Sequence, residues 1–283
     1  MADHQNGPLQ ARMAGIAFVP SRAEHKRLTR RSRVHAATLF EPRDPDETPE
    51  QHFPLQTVHP RTYHPRFVNR YNSREILLVV DGSCVNNGSR DPVLNPLAGG
   101  CSFSYKGRHS SGPPTSFPFS NTELSEGGTV GFPLELSGPA GEDYDPTSNR
   151  AKLRAVIAAL EFRAWQGEGW HRIVVATDLE YVAYGATKWL PGWVRNRWRS
   201  KTRTKGRGRR KIANRDLWEE LHATIEELSK AGTQVSFWLI APKSAIKQGS
   251  DIVRATKDAA REAATIHYDP VSSEFTRLCG IMV

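Results

Sequence analysis

Glu75-Ile76-Leu77-Leu78-Val79-Val80-Asp81-Gly82-Ser83 is the stretch around which the rest of the chain is organised. Ile76 to Val80 form an unbroken apolar run, which reads as a strand buried on both faces. The run ends in an aspartate, and Gly82 permits a sharp turn directly after it. A carboxylate at the end of a buried strand needs a metal ion or a cation beside it, because an unpaired buried charge is costly. A plainer alternative is that Asp81 only opens an Asx-turn before Gly82.

Working outward, a second stretch has the same form. Ile173-Val174-Val175-Ala176-Thr177-Asp178 is a buried strand that also ends in an aspartate. Between the two, Gly99 to Tyr105 alternates like a strand, and Thr129 to Ser137 reads as a third strand that Pro133 weakens. Thr147 or Ser148 can cap a helix over Ala151–Trp165, whose apolar positions are Leu153, Val156, Ile157, Leu160 and Trp165. After Asp178 the pattern predicts a short helix over 179–187 and a longer one over Arg215–Ala231, with Asn214 as its cap. A strand over Val235–Ile240 and a last helix over 250–265 follow. The order β-β-β-α-β-α-α-β-α predicts an α/β fold with a mixed sheet and helices on both faces. Ligands of such sheets sit at the carboxyl ends of the strands, where Asp81 and Asp178 fall. Two acidic strand ends side by side suit a divalent metal such as Mg²⁺.

The chain has 283 residues and a formal net charge of +9, a surplus that points to a polyanionic partner. The charge is concentrated: ten of the seventeen residues 195–211 are Lys or Arg and none is acidic. These are Arg195, Arg197, Arg199, Lys201, Arg203, Lys205, Arg207, Arg209, Arg210 and Lys211. Such a strip attracts phosphates in a strongly salt-dependent way. Trp189, Trp193 and Trp198 lie in or just before it, at a spacing that would share one face of a helix and lie against sugars or bases. Core packing is the alternative for the tryptophans, and a solvated loop or nuclear import signal the alternative for the charges.

Three unevenly spaced cysteines, Cys84, Cys101 and Cys279, argue against a disulfide framework or a structural zinc site. No apolar run approaches the length of a membrane span. The domain organisation expected is a basic, disordered extension over 1–70, a folded domain over 71–265 and a tail over 266–283. The folded domain would carry a Ser/Gly/Pro-rich insertion at 106–128 and the basic loop at 195–211. Phe275 to Val283 is apolar enough to dock somewhere. The cluster Lys26-Arg27 and Arg30-Arg31-Ser32-Arg33 fits a nuclear or mitochondrial address, a nucleic-acid-binding arm or a solvated tail. An intracellular location, nuclear or cytoplasmic with the mitochondrion as the alternative, is the expectation, as is a monomer.

Four pieces in order, Asp81-Gly82-Ser83-Cys84, Thr147 to Val156, Ala176-Thr177-Asp178 and Asn214 to Trp218, resemble type 1 ribonuclease H over about 75–265. The resemblance implies a five-stranded mixed sheet flanked by helices. It further implies cleavage of the RNA strand of RNA–DNA hybrids with two Mg²⁺ (or Mn²⁺) ions, one activating the attacking water and one stabilising the leaving oxygen. The family's metal carboxylates map to Asp81, to Asp178 and to Asp251 at the start of the last helix, with Asp258 as the alternative to Asp251. Asn87 and Asn149 fall where the family contacts the nucleic-acid backbone.

The second carboxylate of the pattern is missing. The family reads Asn-Arg-Ala-Glu-Leu, and this chain reads Asn149-Arg150-Ala151-Lys152-Leu153. Lys152 adds positive charge where two dications would gather; a like-charge contact at ~4 Å costs on the order of 4 kcal/mol at an effective dielectric near 20. The lysine is instead suited to lie among Asp81, Asp178 and Asp251. Two readings follow: a hybrid nuclease with impaired activity, or a pseudoenzyme that binds nucleic acid without cutting it.

Overall fold

The computed structural model describes residues 35–57, 65–86, 97–107, 128–199, 203–204, 208–209, 211–241, 249–265 and 274–277. These residues belong to the compact unit Val34–Val283.

A sheet in the order β1 (Thr38–Leu39), β10 (Gln234–Leu239), β7 (Arg172–Thr177), β4 (Glu75–Val85), β5 (Ala98–Ser104), β6 (Thr129–Pro133) forms the centre of the fold. Its middle is β4, flanked by β7 in parallel and by β5 in antiparallel pairing. β6 closes one edge, and β10 pairs in parallel with β7. Five strands were expected. A sixth, β1, pairs in parallel with β10 and covers what would otherwise be an open edge.

Alternate residues of β4 enter opposite cores, as pleating requires. Ile76, Leu78 and Val80 pack with α2 (Ser148–Glu161) and α5 (Arg215–Lys230), while Leu77 and Val79 pack with Ile252 and Val253 of α6 (Asp251–Ala263). The apolar run is therefore a strand with a helix layer on each side. α6 lies unusually close to the sheet because its contacts there are small. A Cβ on Gly100 would stand 2.2 Å from the Ala260 carbonyl oxygen, and the Ser104 hydroxyl meets Thr256 Oγ1 at 2.6 Å.

Several element boundaries differ from the sequence expectation. β4 runs on to Val85, so Asp81 is inside a strand and Gly82 makes no turn. Gly82 is required for a different reason: a Cβ there would lie 2.4 Å from the backbone nitrogen of Lys152, so only glycine lets α2 come this close. β6 is assigned as far as Pro133, and the Leu134 N–H beyond it still donates to the Gly99 carbonyl at 2.8 Å. The helix expected to reach Trp165 ends at Glu161. The short helix expected over 179–187 continues to Arg195 in three pieces: α3 (Glu180–Tyr184), a π-helical turn (Gly185–Trp189) and α4 (Leu190–Arg195). Asn214 does not cap α5 with its side chain; it is left-handed at φ 52° and its amide donates to the Tyr181 hydroxyl.

The expected disordered extension over 1–70 is corrected over residues 35–57 and 65–70. Besides β1, this part holds α1 (Pro49–His52) and the small β2–β3 pair (Leu55–Gln56 with Arg66–Phe67). Phe53 is fully buried, in the same cluster as Trp238 and Val253. Glu50 accepts a hydrogen bond from the Ile252 backbone N–H at 2.7 Å and so holds the start of α6. Most of the 106–128 insertion lies outside the described residues, as does residue 1–34 with its basic cluster.

Part of the C-terminal tail docks. Arg277 reaches Glu161 of α2 at 2.9 Å and Glu220 and Glu227 of α5 at 3.3 and 2.8 Å. Phe275 lies against the Arg154 guanidinium, which donates to the Thr276 carbonyl at 2.8 Å. Burial pushes the Glu161 carboxyl up to about 7, with Arg154 and Arg277 pulling against the rise. Its folded pKa is raised, so its stabilising contribution is full below its ordinary 4.5 and is lost as pH climbs through about 7.

Two measurements check this architecture. Phe53→Ala should lower the unfolding free energy by about 3–5 kcal/mol in urea titration, as for a large core truncation; a change near zero would return this segment to the status of a loose extension. Glu161→Gln should flatten the pH dependence of stability between pH 5 and pH 7.5 by on the order of 3 kcal/mol. An unchanged slope would place that dependence elsewhere.

Candidate active site

The register of β4 and β7 pairs Val79 with Ala176; carried two residues further it sets Asp81 beside Asp178. Asp81 is 8% exposed, and one of its oxygens accepts from the Gly82 N–H at 2.7 Å. The two carboxylates border a shallow concavity lined also by Val79, Ala176, Ile240 and Val253.

α2 brings Lys152 to them. Thr147 caps the helix, its hydroxyl accepting from the Arg150 N–H at 3.2 Å. Arg150, one residue before the closely packed Ala151, is itself buried and forms a two-pronged pair with Asp216 at 3.0 and 2.6 Å. That pair ties the start of α2 to the start of α5, two residues before Lys152. Its ammonium forms an ion pair with Asp81 at 2.6 Å and a second, short one with Asp178. Burial by itself would depress the Lys152 pKa; the Asp81 and Asp178 carboxylates outweigh it, and the net shift is upward. The expectation that the lysine lies among the acids holds for Asp81 and Asp178.

It does not hold for Asp251. Asp251 occupies the first turn of α6, but its side chain is 90% exposed and pairs with Arg254. Asp258 is 63% exposed and pairs with Arg261 at 3.4 Å. The buried face of α6 is Ile252, Val253, Thr256, Ala260 and Ala263. That periodicity was visible in the sequence, and it places both aspartates off the inward face. Val253 and Ile240, which line the concavity, gave no signal of their own.

Among the described residues no group of three His, Cys, Asp or Glu side chains is placed to hold a metal ion. Two carboxylates that already share an ammonium are not an open divalent site, because a dication would have to displace the lysine or face its charge. The residues present do not fit the two-metal arrangement that the resemblance implies.

The other residues singled out in the sequence fall as follows. Asn149 is exposed on the first turn of α2; Asn87 lies outside the described residues. Trp189 is 41% exposed, whereas Trp193 and Trp198 are partly buried and pack against the main core. Trp193 meets Trp218 edge-on at 5.4 Å and Trp198 meets His222 at 6.4 Å. Arg195, Arg197, Arg199 and Lys211 are exposed. Within the basic stretch, β8 (Arg203–Thr204) and β9 (Gly208–Arg209) pair antiparallel; the side chains of Lys201, Arg203, Lys205, Arg207, Arg209 and Arg210 lie outside the described residues.

A mixed sheet whose two central parallel strands bring aspartates together, with helices on both faces, is the ribonuclease H-like fold. Residues 121–237 match the RNase H family model. A ribonuclease H of Treponema pallidum is 30% identical over 154 residues, which cover 54% of this chain and 75% of that protein. A ribonuclease H of Xanthomonas oryzae is 41% identical over 87 residues, 31% of this chain and 51% of that protein. The chain thus spans about half the length of the curated relatives of this second kind. Among solved structures, the PFV RNase H domain aligns at 17% identity over 66% of this chain and 93% of that one, with a TM-score of 0.41. The chain belongs to the ribonuclease H family.

Lys152→Met should lower stability in metal-free buffer by about 3–5 kcal/mol, since it leaves Asp81 and Asp178 facing each other without a cation. Mg²⁺ should then raise the melting temperature of the variant and leave the unaltered chain where it was. Equal Mg²⁺ responses in the two proteins would show that the lysine does not govern metal access.

Proposed function

We propose that this chain binds RNA–DNA hybrid as a ribonuclease H relative whose hydrolysis of the RNA strand is impaired. The observation that carries the proposal is the Lys152 ammonium in ion pairs with both Asp81 and Asp178. A lysine held this way supplies one fixed positive charge. It can neither generate a metal-bound hydroxide nor stabilise a leaving oxygen as a dication would. Membership of the ribonuclease H family supports hybrid as the ligand, and the ten cations of 195–211 support affinity for its phosphates. Asp251, turned to solvent, favours the stronger form of the reading, a non-catalytic binding module that needs neither Mg²⁺ nor Mn²⁺. A nuclear or cytoplasmic setting, or the mitochondrion, and a monomeric state are part of the same proposal. No helix among the described residues is long and apolar enough to cross a membrane.

The test uses a labelled hybrid, in EDTA and in Mg²⁺ or Mn²⁺. The unaltered chain should bind equally well in both, with affinity falling steeply as salt rises, and should leave the RNA strand intact. Lys152→Glu should bind hybrid and cut it only with metal. Cleavage by the unaltered chain at a rate matching Lys152→Glu would sink the proposal. Binding to double-stranded RNA in preference to hybrid would keep the fold and replace the ligand.

A further inference from the structure

The acidic residue at the start of α6 is Asp251, but the side chain that α6 turns toward Asp81 and Asp178 is Val253, which lines the concavity those two carboxylates border. Val253 is 8% exposed, against 90% for the Asp251 side chain. The two positions are two residues apart, about 200° around the helix, and so lie on nearly opposite faces. Asp258, five residues beyond Val253, is about 140° from it.

Contacts along the buried face fix the rotation of α6. Ser250, fully buried, caps the helix by accepting from the Val253 N–H at 3.2 Å, and Glu50 accepts from the Ile252 N–H. Thr256, also fully buried, has its hydroxyl 2.6 Å from Ser104 Oγ, and its carbonyl accepts from the Ser102 hydroxyl. Toward the far end, the Ala260 carbonyl oxygen and the Ala264 nitrogen stand 2.2 and 2.3 Å from where a Cβ on Gly100 would be. Turning Asp251 inward would swing Thr256 and Ala260 off the sheet. The residue that α6 presents to the acidic pair is therefore decided along the whole helix and not by its first turn.

The wall that Val253 completes is apolar: Val79, Ala176 and Ile240 line the same concavity. A dication such as Mg²⁺ demands an octahedral shell of oxygens and gives up its water reluctantly. Hydrocarbon on this side supplies no oxygen and makes removal of that water costly. The Lys152 ammonium asks less, since both carboxylates already pair with it. We propose that Val253 is a second determinant of cation choice at this site, excluding a divalent ion from the α6 side independently of Lys152. This role rests on Lys152 standing in for the metal, the reading proposed for the site, and extends it. The chain gives up a divalent ion at two positions, one on α2 and one on α6, and restoring a carboxylate at the first alone leaves the second closed.

The experiment titrates Mn²⁺ into the full chain, into Lys152→Glu, into Lys152→Glu with Val253→Asp and into Lys152→Glu with Asp251→Asn. Calorimetric Mn²⁺ affinity is the first readout, and cleavage of labelled hybrid the second. Val253→Asp should tighten Mn²⁺ binding by Lys152→Glu at least about tenfold, since even residues that only orient a metal ligand are worth that much in affinity. Asp251→Asn should leave the affinity of Lys152→Glu where it was. Equal Mn²⁺ affinity with and without Val253→Asp overturns the proposal, and so does a loss of affinity on Asp251→Asn, which would put that aspartate at the metal. Metal-dependent cleavage by the unaltered chain overturns both the reading of Lys152 and the role of Val253; equal affinities with that chain inactive overturn the second alone. If the added carboxylate prevents folding, Val253→Asn brings an amide oxygen without a charge in its place: tighter Mn²⁺ binding supports the role of Val253, and no gain overturns it.

Discussion

The ion triplet of Lys152, Asp81 and Asp178 is the constraint on which this site depends. Parallel pairing of β4 and β7 brings two carboxylates together in a place from which water is largely removed. Two like charges so placed need a cation, from solution or from the chain. This chain supplies its own, at a helix position that backbone packing fixes. The absence of a Cβ on Gly82 lets α2 touch β4, and the buried Arg150–Asp216 pair sets the helix direction. The ammonium is placed by the fold's own packing, so the protein itself supplies a cation to both carboxylates.

The same economy governs the edges. β10 would expose a row of unpaired backbone groups, and β1 covers part of it. The segment that forms β1 continues through α1, whose Glu50 holds the first turn of α6 and whose neighbour Phe53 fills the core under Trp238. At the opposite side Arg277 joins α2 to α5 through three glutamates. Residues that precede and follow the sheet in sequence are structural parts of it. A second ionic cluster, around Glu168, joins Arg66 of β3 to Arg163 after α2.

Positive charge is concentrated in one part of the chain. The basic stretch 195–211 follows a helix that begins just after Asp178, so the cations emerge close in sequence to the acidic pair. Exposed Trp189 stands at the start of that stretch, while Trp193 and Trp198 brace it against α5. The packed aromatic rings give the start of the cationic stretch a fixed origin.

Much of this was legible in the residues themselves. The unbroken apolar runs 76–80 and 173–177, the capped helix after Thr147 and the order of elements determine a mixed sheet with two helix layers, because strand and helix periodicities are local properties. Asp81, Asp178 and Lys152 were legible as a group, since the first two end such runs and the third breaks a pattern at a known place. The tertiary structure decided what depends on contacts remote in sequence. It showed that residues 35–57 fold onto the sheet, that Gly82 serves close packing instead of a turn, and that Asp251 faces solvent. It also joined Arg66 and Arg163 through Glu168. Those outcomes rest on register, on the approach of one backbone to another and on which helix face finds the core. No window of a single chain contains both partners of such a contact.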